Sequence, residues 1–430
     1  MKRKMRKGLK DSLSGAFLSL FAIVLSGCAA VERPPLAAQP SGTAFSRDAV
    51  QPYVDGGQCA GLVSILYNKG VCEVGCIGWA DRERRRPMTL DSMYMIASQS
   101  KGICGIAAAI LIEEGKLDLE DPVSKYLPDY TNLTVWATVS DSAGKRIQTP
   151  VPVKHTMTVR NLLTHTAGFS FSSPVSRKVG WTRVPIRVNA AIGATYPLAY
   201  EPGTRFAYSN FGIDVAAAVV EVVSGARIED FLRGRIFQPL GMKDTTFWPT
   251  EEQLGRAMMP YYVGRDNPAY RIEGRPTMPK PYNGPDVFPS LGAGLWSSPR
   301  DLVKFYKMLL NRGVGDNGAR ILKAETVMEL LEKDQIPATA VVKENYRYSL
   351  GLQVDGASGW YGHGGAWTTD CRINPREDKL KFLAQQIDYV WPKEEPKPFL
   401  DALHRAEDEF LKRKPGEDAS GAAFVGRRSE

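Results

Sequence analysis

The 430 residues include only four histidines, His155, His165, His363 and His404, and neither a His-Glu-x-x-His nor a Cys-x-x-Cys spacing. A zinc site needs several nitrogen or sulfur ligands converging at fixed geometry, so the sequence leaves little from which to build a catalytic metal centre, and no metal or cofactor is expected. Lysine and arginine form no stripe interleaved with aromatics, which removes the electrostatic footprint of a nucleic-acid binder. No internal repeat is present, which excludes solenoid architectures. The longest N-terminal apolar run, Gly15 to Leu25, is too short to span a bilayer comfortably.

That run follows Lys2-Arg3-Lys4-Met5-Arg6-Lys7 and ends in Leu25-Ser26-Gly27-Cys28. A basic stretch, an apolar segment and small residues before a cysteine read as a bacterial lipoprotein signal, with residues 1–27 removed and Cys28 lipidated. The expected location is the bacterial cell envelope, with a lipid anchor in the membrane. The formal charge of +8 falls to +3 once the six basic residues and one acid of 1–27 are set aside. The apparent basicity is therefore mostly a targeting feature.

With 43% hydrophobic and 24% charged residues, the remainder can bury a sizeable core. Residues 28–45, rich in Pro, Ala, Gly and Ser, read as a flexible tether. Leu62–Tyr67 and Val71–Ile77, joined by Asn68-Lys69-Gly70, predict a hairpin at the edge of an antiparallel sheet. From Ser98 the period becomes helical, with Ile103, Ile106, Ala107, Ile110 and Leu111 on one face and Gly115 as the stop. Further helices are predicted over 158–164, 213–223 and 228–237, and a capped one after Ser298-Pro299-Arg300-Asp301. Strand patterns return at 348–354, 368–373 and 380–385, and a last amphipathic helix spans 399–412. Strands at both ends of the chain predict an α+β fold, an antiparallel sheet flanked by helices with an inserted all-α region. Residues 46–97 and 285–413 are assigned to the α/β region, 98–284 to the mainly helical region, and 414–430 to a disordered tail. Five cysteines remain after Cys28, and an exported chain can pair some of them, Cys59 reaching Cys72 or Cys76 across the hairpin. Cys104 and Cys371 read as buried small hydrophobes.

Ser98-Gln99-Ser100-Lys101 sits where the strand-like Met93–Ala97 gives way to the helix. Residues three apart share a helix face, so the Ser98 hydroxyl and the Lys101 amine lie within reach of each other. A lysine desolvated in a cleft can take the serine proton, and the positive end of the helix favours the charge that develops during attack. The same spacing recurs in Ser142-Ala143-Gly144-Lys145, a polar glycine-containing stretch assigned to a surface turn. Tyr208-Ser209-Asn210 follows a Pro-Gly turn and precedes an apolar helix, where a partly deprotonated tyrosine can shuttle protons. A rival, Tyr130-Thr131-Asn132, lacks that turn. Tyr361-Gly362-His363-Gly364-Gly365-Ala366-Trp367 lies just before a predicted strand. Its glycines let a substrate approach the strand edge, and the Ala366 N–H can join that of Ser98 as an oxyanion hole.

In order and context, these three elements resemble the motif set of the serine β-lactamase and penicillin-binding protein superfamily. The resemblance extends to the class C β-lactamase-like branch, with its esterase and D-aminopeptidase relatives. It is carried also by Asn161–Phe169, Glu201-Pro202-Gly203, Pro239–Met242 and Gly292–Ser298. The resemblance implies an α/β sandwich plus an all-α region with the site between them. It further implies acyl-enzyme chemistry on Ser98, assisted by Lys101 and Tyr208, with Asn210, His363, Gly364, Gly365 and Trp367 binding substrate. His165 is expected to organise a loop.

One position departs from the pattern. Where a classical β-lactamase of this branch has lysine, this sequence has His363, and an ordinary imidazole is only about a quarter protonated at pH 7. A small or peptide-like acyl substrate cleaved by an esterase or amidase is therefore expected ahead of a β-lactam. A non-turnover penicillin-binding sensor is the remaining alternative. Trp360 and Trp367 are read as possible walls of an acyl pocket.

Overall fold

The computed structural model describes residues 45–142, 144–174, 184–263, 288–389 and 398–413. The signal segment 1–27, Cys28, the tether up to residue 44 and the tail 414–430 lie outside the described residues.

Residue 45, assigned to the tether, instead opens helix α1 (Phe45–Asp55). The predicted hairpin forms from β1 (Gly61–Asn68) and β2 (Val71–Asp81), with Asn68 opposite Val71. Its two-residue loop places Lys69 and Gly70 at φ 47° and 93°, the left-handed pair whose twist matches that of the strands. The hairpin is not at the edge. Strand β1 also pairs along its other side with β12 (Lys379–Ala384), and only the two-residue β3 (Arg86–Pro87) lies beyond β2. This explains why every residue of β1 is buried: it is an interior strand with both faces covered.

The sheet continues through β11 (Thr369–Asn374), β10 (Tyr361–Gly365) and β9 (Gln353–Val354), giving the order β3-β2-β1-β12-β11-β10-β9. Alternation along β1 sends Leu62 to one face, against Val50 of α1 and Phe399 and Leu403 of the last helix, α7 (Pro398–Lys412). Val63 and Ile65 point the other way, into the large core shared with α2 (Ser100–Glu113) and α6 (Pro299–Leu310). The sequence predicts α2 to be amphipathic, but it is buried from Ser100 to Leu111 because it lies between the sheet and the helical region.

The helical region contains α3 (Val159–Leu163), α4 (Ile186–Ala194) and α5 (Asn210–Ser224). It also contains an unpredicted hairpin, β5 (Thr134–Ser140) with β6 (Arg146–Pro152). Four short strands complete the set: β4 (Tyr94–Met95) pairs with β8 (Trp296–Ser297), and β7 (Tyr261–Val263) with β13 (Ile387–Tyr389). Of the strand predicted over 348–354, only Gln353 and Val354 pair as a strand. Cys59, Cys72, Cys76, Cys104 and Cys371 are all free thiols, so no pairing across the β1–β2 hairpin forms. Cys104 and Cys371 are fully buried.

Candidate active site

Ser98 lies on a single 3-10 turn, Ala97–Gln99, that leads from β4 into α2. Pairing of β4 with β8 and the bond from the Ile96 N–H to the Leu295 carbonyl (3.0 Å) fix the approach to this turn. Ala97 has φ 47°, a left-handed conformation that a residue with a side chain adopts only when its surroundings enforce it. Those surroundings include the end of β10. A Cβ on Gly365 would lie 2.5 Å from the Ile96 carbonyl oxygen, so only glycine lets the strand press against the residues that present Ser98.

Lys101, the second residue of α2, is fully buried. Its ammonium donates to Ser98 Oγ at 3.1 Å, to Asn210 Oδ1 at 2.6 Å and to the Gly292 carbonyl at 2.5 Å, and lies 4.5 Å from the centre of the Tyr208 ring. Burial draws its pKa down from 10.5 to about 7, opposed by the nearby Asp214. The helical spacing brings Ser98 and Lys101 together as expected. The low proton affinity arises from tertiary packing.

Tyr208 and Asn210 flank Ser209, the N-cap of α5, whose Oγ accepts from the Gly212 N–H at 3.1 Å. The helix therefore begins at Asn210, three residues earlier than the periodicity predicts. The Tyr208 phenol lies beside the Ser98 side chain, which acts to lower its pKa. Burial pushes the phenol well above its ordinary value, so the partly deprotonated tyrosine expected from the sequence is corrected: the group is a protonated donor. Asn210 turns its side-chain oxygen to Lys101.

His363 requires a larger correction. The motif expected to precede a strand is itself strand β10, and alternation turns the imidazole inward, where it is 3% exposed. Its Nδ1–H donates to the Gly364 carbonyl, and its Nε2 accepts from the Tyr348 hydroxyl at 3.0 Å. Burial pushes its pKa down to about 3, with the Lys101 charge acting in the same sense. The ring is thus neutral at pH 7 rather than a quarter charged. Gly364 and Gly365 are half-buried on the strand, and Ala366 is exposed at the first position of the following turn. Trp367 occupies that turn at φ 67°, its carbonyl accepting from the Ile387 N–H at 3.2 Å. Trp360 lies away from the site, packed against Leu66, Phe410 and Leu411.

His165 is buried and left-handed at φ 60°; its Nδ1 accepts from the Ser209 N–H at 3.2 Å, and its ring lies 4.5 Å from that of Tyr208. It packs beneath the loop that presents Tyr208. The two rival motifs fall elsewhere. Ser142 and Lys145 belong to the exposed β5–β6 turn, and Tyr130 is a core residue whose hydroxyl donates to the Ala190 carbonyl at 3.0 Å.

Three participants escaped the sequence reading. Gly292 supplies a carbonyl to Lys101, and Asp214, one turn after Asn210 on α5, accepts from the Gly292 N–H at 2.8 Å and the Ser290 hydroxyl at 2.9 Å. Tyr348 holds His363. Asp214 does carry a legible signal, because it is a lone charge in the apolar run from Phe211 to Val220. Tyr348 carries none.

The Beta-lactamase family model matches residues 47–388. The chain belongs to the Beta-lactamase family. An uncharacterized protein of Mycobacterium tuberculosis is 32% identical over 353 residues, covering 80% of this chain and 82% of that protein. Esterase EstB of Burkholderia gladioli is 28% identical over 250 residues, covering 53% of this chain and 59% of the esterase. The fold is shared with unliganded simvastatin synthase (LovD) from Aspergillus terreus, at a TM-score of 0.69 and 21% identity over 86% of this chain and 98% of that one. This Beta-lactamase family member is accordingly a serine hydrolase of α+β fold. The chemistry open to it is nucleophilic displacement at a carbonyl.

Proposed function

We propose that this chain is an esterase or amidase that works through an acyl-enzyme on Ser98. What carries the reading is the desolvated Lys101 amine, 3.1 Å from Ser98 Oγ and 4.5 Å from the centre of the Tyr208 ring, together with the protonated Tyr208 phenol beside the same serine. Neutral Lys101 takes the serine proton as Oγ attacks the substrate carbonyl. The backbone N–H groups of Ser98 and Ala366 receive the developing oxyanion. Collapse of the tetrahedral species breaks the bond to the leaving oxygen or nitrogen, which takes a proton from Tyr208. Water then attacks the acyl-enzyme, giving its proton to the Tyr208–Lys101 pair, and the acid departs as Ser98 is reprotonated.

A neutral His363, with both ring nitrogens engaged inside the protein, offers no charge to a substrate carboxylate, which supports ester or amide cleavage over β-lactam hydrolysis. The similarity to a protein named as an esterase points the same way. A panel of p-nitrophenyl esters, D-amino-acid amides and β-lactams, run on wild type and Ser98→Ala, tests the reading. Nitrocefin turnover rivalling that of the best short-chain ester would reverse the ranking. Fluorophosphonate labelling of Ser98 with a single burst and no turnover would instead identify a sensor.

The proposal extends to location: a lipoprotein anchored at Cys28 in the bacterial cell envelope. The basic, apolar and small-residue sequence of 1–28 supports it.

A further inference from the structure

We infer that Asp214 is a positioning residue for Lys101: it fixes the Gly292 carbonyl that receives the lysine amine, and its negative charge holds the proton on that amine. The inference rests on Lys101 being the base that activates Ser98.

Asn210 and Asp214 are four residues apart on α5 and so face the same way. Asn210 meets Lys101 directly, and Asp214 meets it through the 290–292 loop. That loop has little freedom. Asp214, 3% exposed, takes the Ser290 hydroxyl and the Gly292 N–H, while the other side of Gly292 packs so closely on Asn210 that an added Cβ would lie 2.7–2.9 Å from its atoms. The Gly292 carbonyl is thereby aimed at Lys101, 2.5 Å away.

The groups facing Lys101 are Ser98 from the turn before α2, Cys104 from α2, Tyr208 and His165 from the loop before and beneath α5, His363 from β10, and Asp214. Burial keeps the Cys104 thiol and the Tyr208 phenol protonated and both imidazoles neutral. Among these groups, Asp214 is therefore the one able to carry charge near neutrality. Burial raises its own pKa from 3.8 to about 7, opposed by its hydrogen bonds and by Lys101. Two groups that titrate together next to the nucleophile set the pH at which a free amine appears.

Asp214→Asn keeps an oxygen for Gly292 and Ser290 but removes the charge. Lys101 then releases its proton more readily, so the acid limb of kcat/KM should move to lower pH by on the order of one unit. Ser290→Ala makes the Asp214 carboxyl harder to ionise and should move the limb the same way by less. The experiment is the pH profile of p-nitrophenyl ester hydrolysis from pH 4.5 to 9 for wild type and both variants, with Ser98→Ala and Lys101→Met as controls and a thermal melt on each. A limb that stays in place in Asp214→Asn, whatever the loss of plateau rate, overturns the inference while leaving Lys101 as the base. Turnover that survives Ser98→Ala or Lys101→Met overturns both. Should Asp214→Asn fail to fold, the limb in Ser290→Ala decides, downward movement supporting the role and none refuting it.

Discussion

Lys101 changes character between the extended chain and the folded protein. At its ordinary pKa of 10.5 only about one amine in 3,000 would be free at pH 7, whereas near 7 about half are. Burial thus raises the population of usable base roughly a thousandfold without altering the residue. The acid limb of kcat/KM should accordingly lie near pH 7, activity rising with pH as Lys101 loses its proton. His363 should add no second inflection between pH 5 and 9, since it stays neutral down to about 3. A pH profile with an inflection near 6.5 that vanishes in His363→Asn would contradict this. Ser98→Ala should reduce turnover by on the order of a thousandfold or more with its melting temperature preserved, and retained activity would end the assignment. Tyr208→Phe should slow alkyl esters and amides by about 10²–10⁴ but p-nitrophenyl esters far less, because a good leaving group does not need the phenolic proton. Equal losses across leaving groups would place the Tyr208 effect at another step.

At the scale of elements, the site depends on how closely α2 docks against the chain leading into β9. A Cβ on Gly105 would lie 1.8 Å from the Leu350 carbonyl oxygen, and one on Gly351, held at φ 77°, would lie 2.1 Å from the Lys101 carbonyl. These are backbone contacts that no rotamer change relieves. Gly105→Ala should therefore cost at least about 1–3 kcal/mol and displace the helix that carries Lys101 and follows Ser98. Gly115→Ala is the comparison. It sits at φ 68° with open space around it, so its cost is limited to backbone strain of about 1 kcal/mol. Thermal melts and ester kinetics on the two should separate them, Gly105→Ala losing both stability and activity and Gly115→Ala only a little stability. Comparable losses would show that the packing of α2 is more yielding than the contacts imply.

Across the whole molecule, α7 closes the outer face of the sheet and carries a buried acid. Glu407, 3% exposed, lies 3.9 Å from Lys381 of β12, and burial raises its pKa from 4.5 to about 7. A carboxyl with a raised native pKa contributes stability that is full below about 4.5 and lost as pH rises through about 7, at most about 3 kcal/mol. Glu407→Gln should thus melt above wild type at pH 8 and show no such gain at pH 4.5. A pH-independent difference would mean that the acid is paired in both states. At the same scale, Cys28→Ser should shift the protein from the membrane to the soluble fraction on fractionation, and continued membrane association would remove the lipid-anchor proposal.

Much of this arrangement is local and so legible along the chain. The i, i+3 spacing of Ser98 and Lys101, the Lys69-Gly70 turn, the Ser298 cap and the strand alternation near the C-terminus all act within a few residues. They determine the fold class, the candidate nucleophile and the family. Other features arise only when distant segments meet. The interior placement of β1 needs β12, more than 300 residues away, and the free amine of Lys101 needs α5 and the Gly292 loop to exclude water from it. His363 has the same composition-level signal whether it faces substrate or core. Strand register against β11 and the Tyr348 hydroxyl turn it inward and keep it neutral. The sequence by itself therefore determined which residues can react. The tertiary structure decided their protonation, because proton affinity depends on desolvation and neighbouring charge, and both are properties of the packed surroundings.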